Sequence, residues 1–339
     1  MPRKRRQGKI PTPAWEQHHS VLTRQVLGRS PQFYGFIGAI LLVLAAGGVI
    51  GYAILSDYLD DRNRPDATAV RVDDVKYNLR YYTNRVKALV QASGGAGAVS
   101  PQTAIPQMTD QLVEEVIMRR FGDEKEAAAT EDEINTDIAT RMGLAGKDDP
   151  NFQTRFQEEL SRTGISETQY RDMAAAAVIR KKLLEKFTAE VPATGESIRY
   201  RQILVSDQAA ADDLKGQIEG GADFATLAQE NSLDTVTKSE GGEVGWVPRG
   251  VLAEQIEEQL FTQEVNAIST YTTQGGAYVL QVEEKAADRA LDDSQKSVLA
   301  QKALADWVKE KRDALTVEEF ITTNADNFRW VYERAFPQA

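Results

Sequence analysis

The sequence predicts an α+β protein with a single transmembrane helix. Behind that helix it predicts a mostly helical module built from an N-terminal and a C-terminal segment, with a small α+β domain inserted between them. Three observations carry this. Residues 33–55 form 23 consecutive positions without a charge. Apolar residues recur at helical spacing through 66–190 and again after 286, whereas 198–285 alternates short strands with helices. The C-terminal stretch is rich in aromatics that a lone helix does not bury by itself.

The span comes first. At about 1.5 Å per residue, Phe33 to Leu55 is long enough to cross a hydrocarbon core of roughly 30 Å. Residues 1–32 carry Arg3, Lys4, Arg5, Arg6, Lys9, Arg24 and Arg29 against Glu16 alone, a net +6; the total is −11, which leaves −17 for the remainder. Basic residues before the span and Asp57, Asp60 and Asp61 after it point to an N-terminus inside and the bulk outside. The basic tail, read as cytoplasmic, suits an anionic inner leaflet. A cleaved signal peptide is the competing reading. Against it stand the long apolar run and the lack of a clean small-x-small cleavage site. Gly47 and Gly51 form one GxxxG spacing, a weak signal. The expected location is the cell membrane, single-pass, with membrane lipid as a partner through residues 33–55.

Composition excludes much chemistry. There is no cysteine, so disulfides, thiolate catalysis, cysteine zinc sites and a lipid-modified cysteine anchor are out. Both histidines, His18 and His19, precede the span, so no imidazole serves the extracytoplasmic body. No cofactor or metal is expected. The acidic body also argues against nucleic acid as its partner.

The elements follow in order. Residues 66–190 read as helices after a short alternating strand, with Val75, Leu79, Tyr82, Val86 and Leu89 at roughly helical spacing. Residues 94–106 read as a flexible loop by composition. Residues 107–122 place Leu112, Val116, Ile117 and Phe121 on one helix face. Thr130 with Glu133, and Ser166 with Gln169, form capping boxes that open two more helices. Residues 188–197, with Pro192 and Gly195, lack periodicity and read as a domain boundary. A strand over 198–205 follows, then a helix over Ala209–Ile218, then Asp223 as a helix N-cap. A Gly-rich turn with a short strand spans 239–250, a helix follows, and a hairpin closes across Gln274–Gly276. Residues 286–339 return to helix with Leu304, Trp307, Val308 and Leu315 on one face. Phe320, Phe328, Trp330, Tyr332 and Phe336 then need covering, and the economical solution packs this segment back on the N-terminal helices.

Residues 198–285 resemble the parvulin-type peptidyl-prolyl isomerase domain. The match runs in order through "RQILV", "GADFATLAQENSLD", "GGEVGWVPRG" and "GGAYVLQVEE". The layout of one anchor, helices on both sides and this domain between them looks like the extracytoplasmic foldases SurA, PrsA and PpiD. The domain boundaries that follow are a basic tail (1–32), a span (33–55), a SurA-N-like chaperone module (66–190), the parvulin-like domain (198–285) and returning C-terminal helices (286–339).

The resemblance implies an isomerase acting on unfolded or newly exported polypeptides, with the secretion translocon as a further partner. It assigns the polar centre to Asp234, Gln202 and Tyr278. Gln202 and Tyr278 stand where the family carries histidines, and Asp234, with Thr235 beside it, matches the acidic position. It assigns the proline pocket to Val244, Leu252, Ile256 and Phe261, although the core of a small domain explains these four equally well. Gly241, Gly242 and Gly245 read as turn geometry. Tyr81, Tyr82, Phe152 and Phe156 are candidates for a client-binding cradle, with core burial as the competing fate. The expected function is a membrane-anchored isomerase and foldase. The alternative is a holdase whose parvulin-like domain is catalytically degenerate.

Overall fold

The computed structural model describes Phe36, residues 42–52, Leu55, residues 62–95 and residues 97–336. The expected basic tail lies outside the described residues, as does part of the expected span 33–55. Residues 42–52 are helical and exposed. Among the described residues no helix is long and apolar enough to cross a membrane, so the predicted 23-residue span is not recovered there. The chain from Thr68 onward forms a unit of its own.

That unit opens with an antiparallel hairpin, Thr68–Val72 (β1) and Val75–Asn78 (β2). Val75 belongs to β2 and not to the expected helix. The boundary is set by Asn78, whose side chain accepts the Tyr81 N–H at 2.9 Å and caps Leu79–Ala92 (α1). Pro101–Phe121 (α2) begins inside the expected loop. Ser100 caps it, and Pro101 stands at a first-turn position where a missing N–H is harmless. Glu131–Arg141 (α3) and Glu167–Glu190 (α5) open on the two predicted capping boxes. Phe152–Thr163 (α4) lies between them and ends on Gly164 in a left-handed conformation.

The aperiodic stretch 188–197 is not an open linker, because α5 runs to Glu190 and Thr194–Val205 (β3) starts soon after. Next come Gln208–Glu219 (α6) and Phe224–Asn231 (α7), the latter capped by Asp223. Glu243–Pro248 (β4), Glu254–Thr262 (α8), Ile268–Thr273 (β5) and Gly276–Ala290 (β6) follow. These strands make one antiparallel sheet in the order β4-β3-β6-β5.

Side chains alternate across a strand, so β3 feeds two separate cores. Ile203 and Val205 pack with Ala211 and Leu214 of α6 and with Phe224, Leu227 and Ala228 of α7. Ile198 and Tyr200 face the other way, onto Leu260 and Phe261 of α8 and Leu280 and Val282 of β6.

The chain then returns to its beginning. Asp293–Asp313 (α9) packs on α5 and α2, and Ala325–Ala335 (α10) packs on α1. Val317–Glu319 (β7) pairs antiparallel with β1, with Arg71 paired to Glu318, which completes a sheet of order β2-β1-β7. Leu304, Trp307, Val331 and Phe336 are buried there, while Val308 and Leu315 are half-buried.

The four cradle candidates are core. Tyr81, Tyr82, Phe152 and Phe156 are all buried. The Tyr82 hydroxyl donates to the Ile105 carbonyl at 2.6 Å, and Phe156 meets Tyr170 edge-on at 5.5 Å. Beside them Arg85 grips Glu115 with both terminal nitrogens, at 2.6 and 3.1 Å, and donates to the Tyr81 hydroxyl at 2.6 Å. This pair ties α1 to α2 across a largely buried contact.

Candidate functional site

The polar centre forms where β3 meets the loop after α7. The Gln202 amide donates to Asp234 Oδ2 at 2.7 Å, and the Thr237 hydroxyl donates to the same oxygen at 2.6 Å. The Val236 N–H donates to Asp234 Oδ1 at 3.0 Å, closing an Asx turn. Ser232 anchors the loop to β3, accepting from the N–H groups of Leu204 and Asp234, each at 3.2 Å. Gly242 fastens the other side. It donates to the Thr237 carbonyl, and its own carbonyl accepts the Gln202 N–H at 2.9 Å. Its φ is +81°, and a Cβ there would meet the Gln202 carbonyl at 2.4 Å, so only glycine fits.

Burial alone pushes the Asp234 carboxyl up. The hydrogen bonds from Thr237, Gln202 and the loop backbone outweigh it and hold the carboxyl below the usual carboxylate range. No lysine or arginine is among its hydrogen-bond partners. The result is a carboxylate kept ionised by neutral dipoles.

An apolar floor lies beside it. Tyr200, Leu260, Phe261 and Leu280 are buried, and Val244, Val247, Leu252, Ile256, Tyr271 and Tyr278 pack around them half-exposed. Phe261 is therefore floor, with the Arg249 guanidinium stacked 4.1 Å from its ring centroid. Val244, Leu252 and Ile256 form the rim. The loop carrying Leu252 is pinned by Glu257, which accepts the N–H groups of Gly250 and Leu252 at 2.7 and 3.2 Å.

The structure brings Gln202 and Asp234 into contact and seats Tyr278 apart from them. Tyr278, on β6, stands opposite Leu204 of β3 and opposite Tyr271 of β5, on the Gln202 face, without a hydrogen bond to either Gln202 or Asp234. Thr235 is exposed, and its place beside the carboxylate is taken by Thr237. The spacing Asp-x-x-Thr carried that signal, since a carboxylate that closes an Asx turn presents itself to the hydroxyl three residues on. Tyr200 was also legible: it alternates with Ile198 and Gln202 on one face of β3.

Family comparison agrees with this geometry. Residues 186–286 match the PPIC-type PPIase domain, and residues 29–184 match the SurA-like N-terminal domain. The chain carries both domains. Outside this chain, the "Foldase protein PrsA" of Caldanaerobacter subterraneus subsp. tengcongensis is 28% identical over 180 residues, 51% of this chain and 55% of that protein. The "Parvulin-like PPIase" of Rickettsia bellii is 38% identical over 94 residues, 26% of this chain and 33% of that protein. The chain thus spans about half and about a third of the length of these two relatives. A crystal structure of a peptidylprolyl isomerase, PrsA, from Bacillus anthracis aligns over 60% of this chain and 94% of its own at 18% identity and a TM-score of 0.41. The PPIC-type domain takes in the whole Asp234 cluster and all of the apolar floor and rim.

Proposed function

We propose that the protein is a membrane-anchored, extracytoplasmic peptidyl-prolyl isomerase and foldase acting on newly exported chains. The observation that carries this reading is Asp234, held ionised by Gln202 and Thr237 at the edge of an apolar floor. An X-Pro bond resists rotation by nearly 20 kcal/mol because of amide resonance. Isomerisation needs no covalent step. It needs a site that binds the twisted bond better than the planar one, and about 1.4 kcal/mol of such preference gives a tenfold rate.

In this reading the proline ring rests on Val244, Leu252 and Ile256, over Phe261. Asp234, Gln202 and Tyr278 supply the fixed polar field around the rotating amide. Fixed dipoles in a site that excludes water act strongly without an imidazole. The helical module, 66–190 with 286–339, holds unfolded segments of the same client. Residues 33–55 anchor the protein in lipid, the basic tail lies inside, and the translocon lies within reach of the anchored chain. The names of the PrsA relatives support the foldase role.

The absence of histidine after His19 favours one second reading, a holdase whose isomerase-like domain only binds. A protease-coupled assay with a proline tetrapeptide separates the two. The isomerase reading expects acceleration that rises linearly with protein concentration. A rate equal to the uncatalysed one, with client aggregation still suppressed, selects the holdase.

A further inference from the structure

We infer that the Tyr200 hydroxyl is a hydrogen-bond donor to the prolyl nitrogen of the rotating bond. This rests on the isomerase reading above and adds to it the group that recognises the twisted state.

The placement comes from the strand. Tyr200 stands opposite Val282 and Gln202 stands opposite Leu280 in the β3–β6 register, so both face α8 and the site. The tyrosine is only 3% exposed, and its ring forms part of the floor with Leu260, Phe261 and Leu280.

What sets Tyr200 apart is a free hydroxyl next to the Asp234 cluster. Tyr82 bonds Ile105 and Thr109, and Tyr81 accepts from Arg85. Tyr170, buried in the helical module, also makes no hydroxyl hydrogen bond among the described residues, but its neighbours are Phe156 and Glu159. Tyr200 has no hydrogen-bond partner among the described residues. At 3% exposure the side chain is nearly enclosed but not sealed. A nearly buried donor without a protein partner is costly to keep unless something else accepts from it. The hydroxyl also feels the charge of Asp234, which places it in the same polar neighbourhood. Burial pushes it up to about 12, so it remains a neutral O–H donor throughout the neutral range.

The chemistry fits the vacancy of that donor. In a planar amide the nitrogen lone pair is delocalised and accepts little. As the bond twists, the lone pair localises on nitrogen and becomes an acceptor. A donor placed there stabilises the twisted state and leaves the planar state unaided, which is the differential binding that a rotation needs. No proton is transferred and no bond is broken. Gln202 and Thr237 already direct donors at Asp234, and the Tyr278 side chain is half-exposed to water.

The test is isomerisation of a proline tetrapeptide by the full chain, followed by NMR exchange, for wild type, Tyr200→Phe and Tyr278→Phe. Tyr200→Phe keeps the ring and removes only an unpartnered hydroxyl, so Tm is expected to stay or rise. Its kcat/KM is expected to fall about tenfold, the loss of one donor made only in the twisted state. Tyr278→Phe is expected to lose less. Tyr200→Phe at the wild-type rate overturns the donor assignment and leaves the isomerase reading standing. A wild type no faster than the uncatalysed reaction overturns both.

Discussion

Glu115 in the helical module and Asp234 in the small domain are both carboxylates gripped by several donors, yet only Glu115 faces a cation. Arg85 closes on Glu115 with two nitrogens, and the pair sits between α1 and α2 with little exposure. Its charge is cancelled on the spot, and what it supplies is a fixed distance between two helices. Asp234 receives an amide, a hydroxyl and a backbone N–H, all neutral, and keeps its negative charge at the edge of an open apolar face. A neutralised buried ion pair reads as architecture. A carboxylate held ionised by dipoles beside half-exposed apolar side chains reads as a candidate working group.

Glu115→Ala is the sharpest way to break the first half of that comparison. It strands the Arg85 guanidinium in a largely buried position, and a loss of about 3–5 kcal/mol is expected in denaturant unfolding. The rate per folded molecule on a proline peptide is expected to stay unchanged. Gly242→Ala comes next. It forces a Cβ toward the Gln202 carbonyl at an unfavourable φ, and about 2 kcal/mol of stability is expected to go. This variant also loosens the Thr237 side of the cluster, so isomerisation is expected to fall with stability and not independently of it.

The effect of pH is smaller. The Asp234 carboxyl lies below its ordinary value near 3.8 in the folded chain. Its contribution to stability is therefore complete above that ordinary value and is lost as pH falls through the lowered one. No histidine follows His19. The rate–pH profile is expected to be flat from about pH 5 to 8, the range where an imidazole would titrate. A bell or step centred near pH 6.5 in that profile would contradict the dipole account.

Local chemistry was legible and pairing across the chain was not. Both capping boxes and the Asp223 cap were read correctly, because each needs only three or four consecutive residues. The hairpin at β1–β2 was half missed, since Val75 and Leu79 mimic a helical repeat until Asn78 is recognised as a cap. Strand β7 has three residues and exists only because β1 offers it an edge, which no local pattern announces. At the site, Gln202 and Asp234 were named from the motif. Thr237 and Tyr200 lie outside the motif, and only a turn spacing and a strand alternation point to them. Tyr278 was grouped with Gln202 and Asp234 by motif position, and its lack of contact with Asp234 depends on side-chain directions that sequence does not give.

The central claim is that the uncancelled charge of Asp234 serves rotation of the X-Pro bond more than it serves folding. The direct measurement is NMR exchange on a proline tetrapeptide with wild type, Asp234→Asn and Asp234→Ala, with Tm recorded for each. The account predicts a stability loss of about 1 kcal/mol and a fall in kcat/KM of about tenfold or more for both variants. Both variants turning over at the wild-type rate would contradict it.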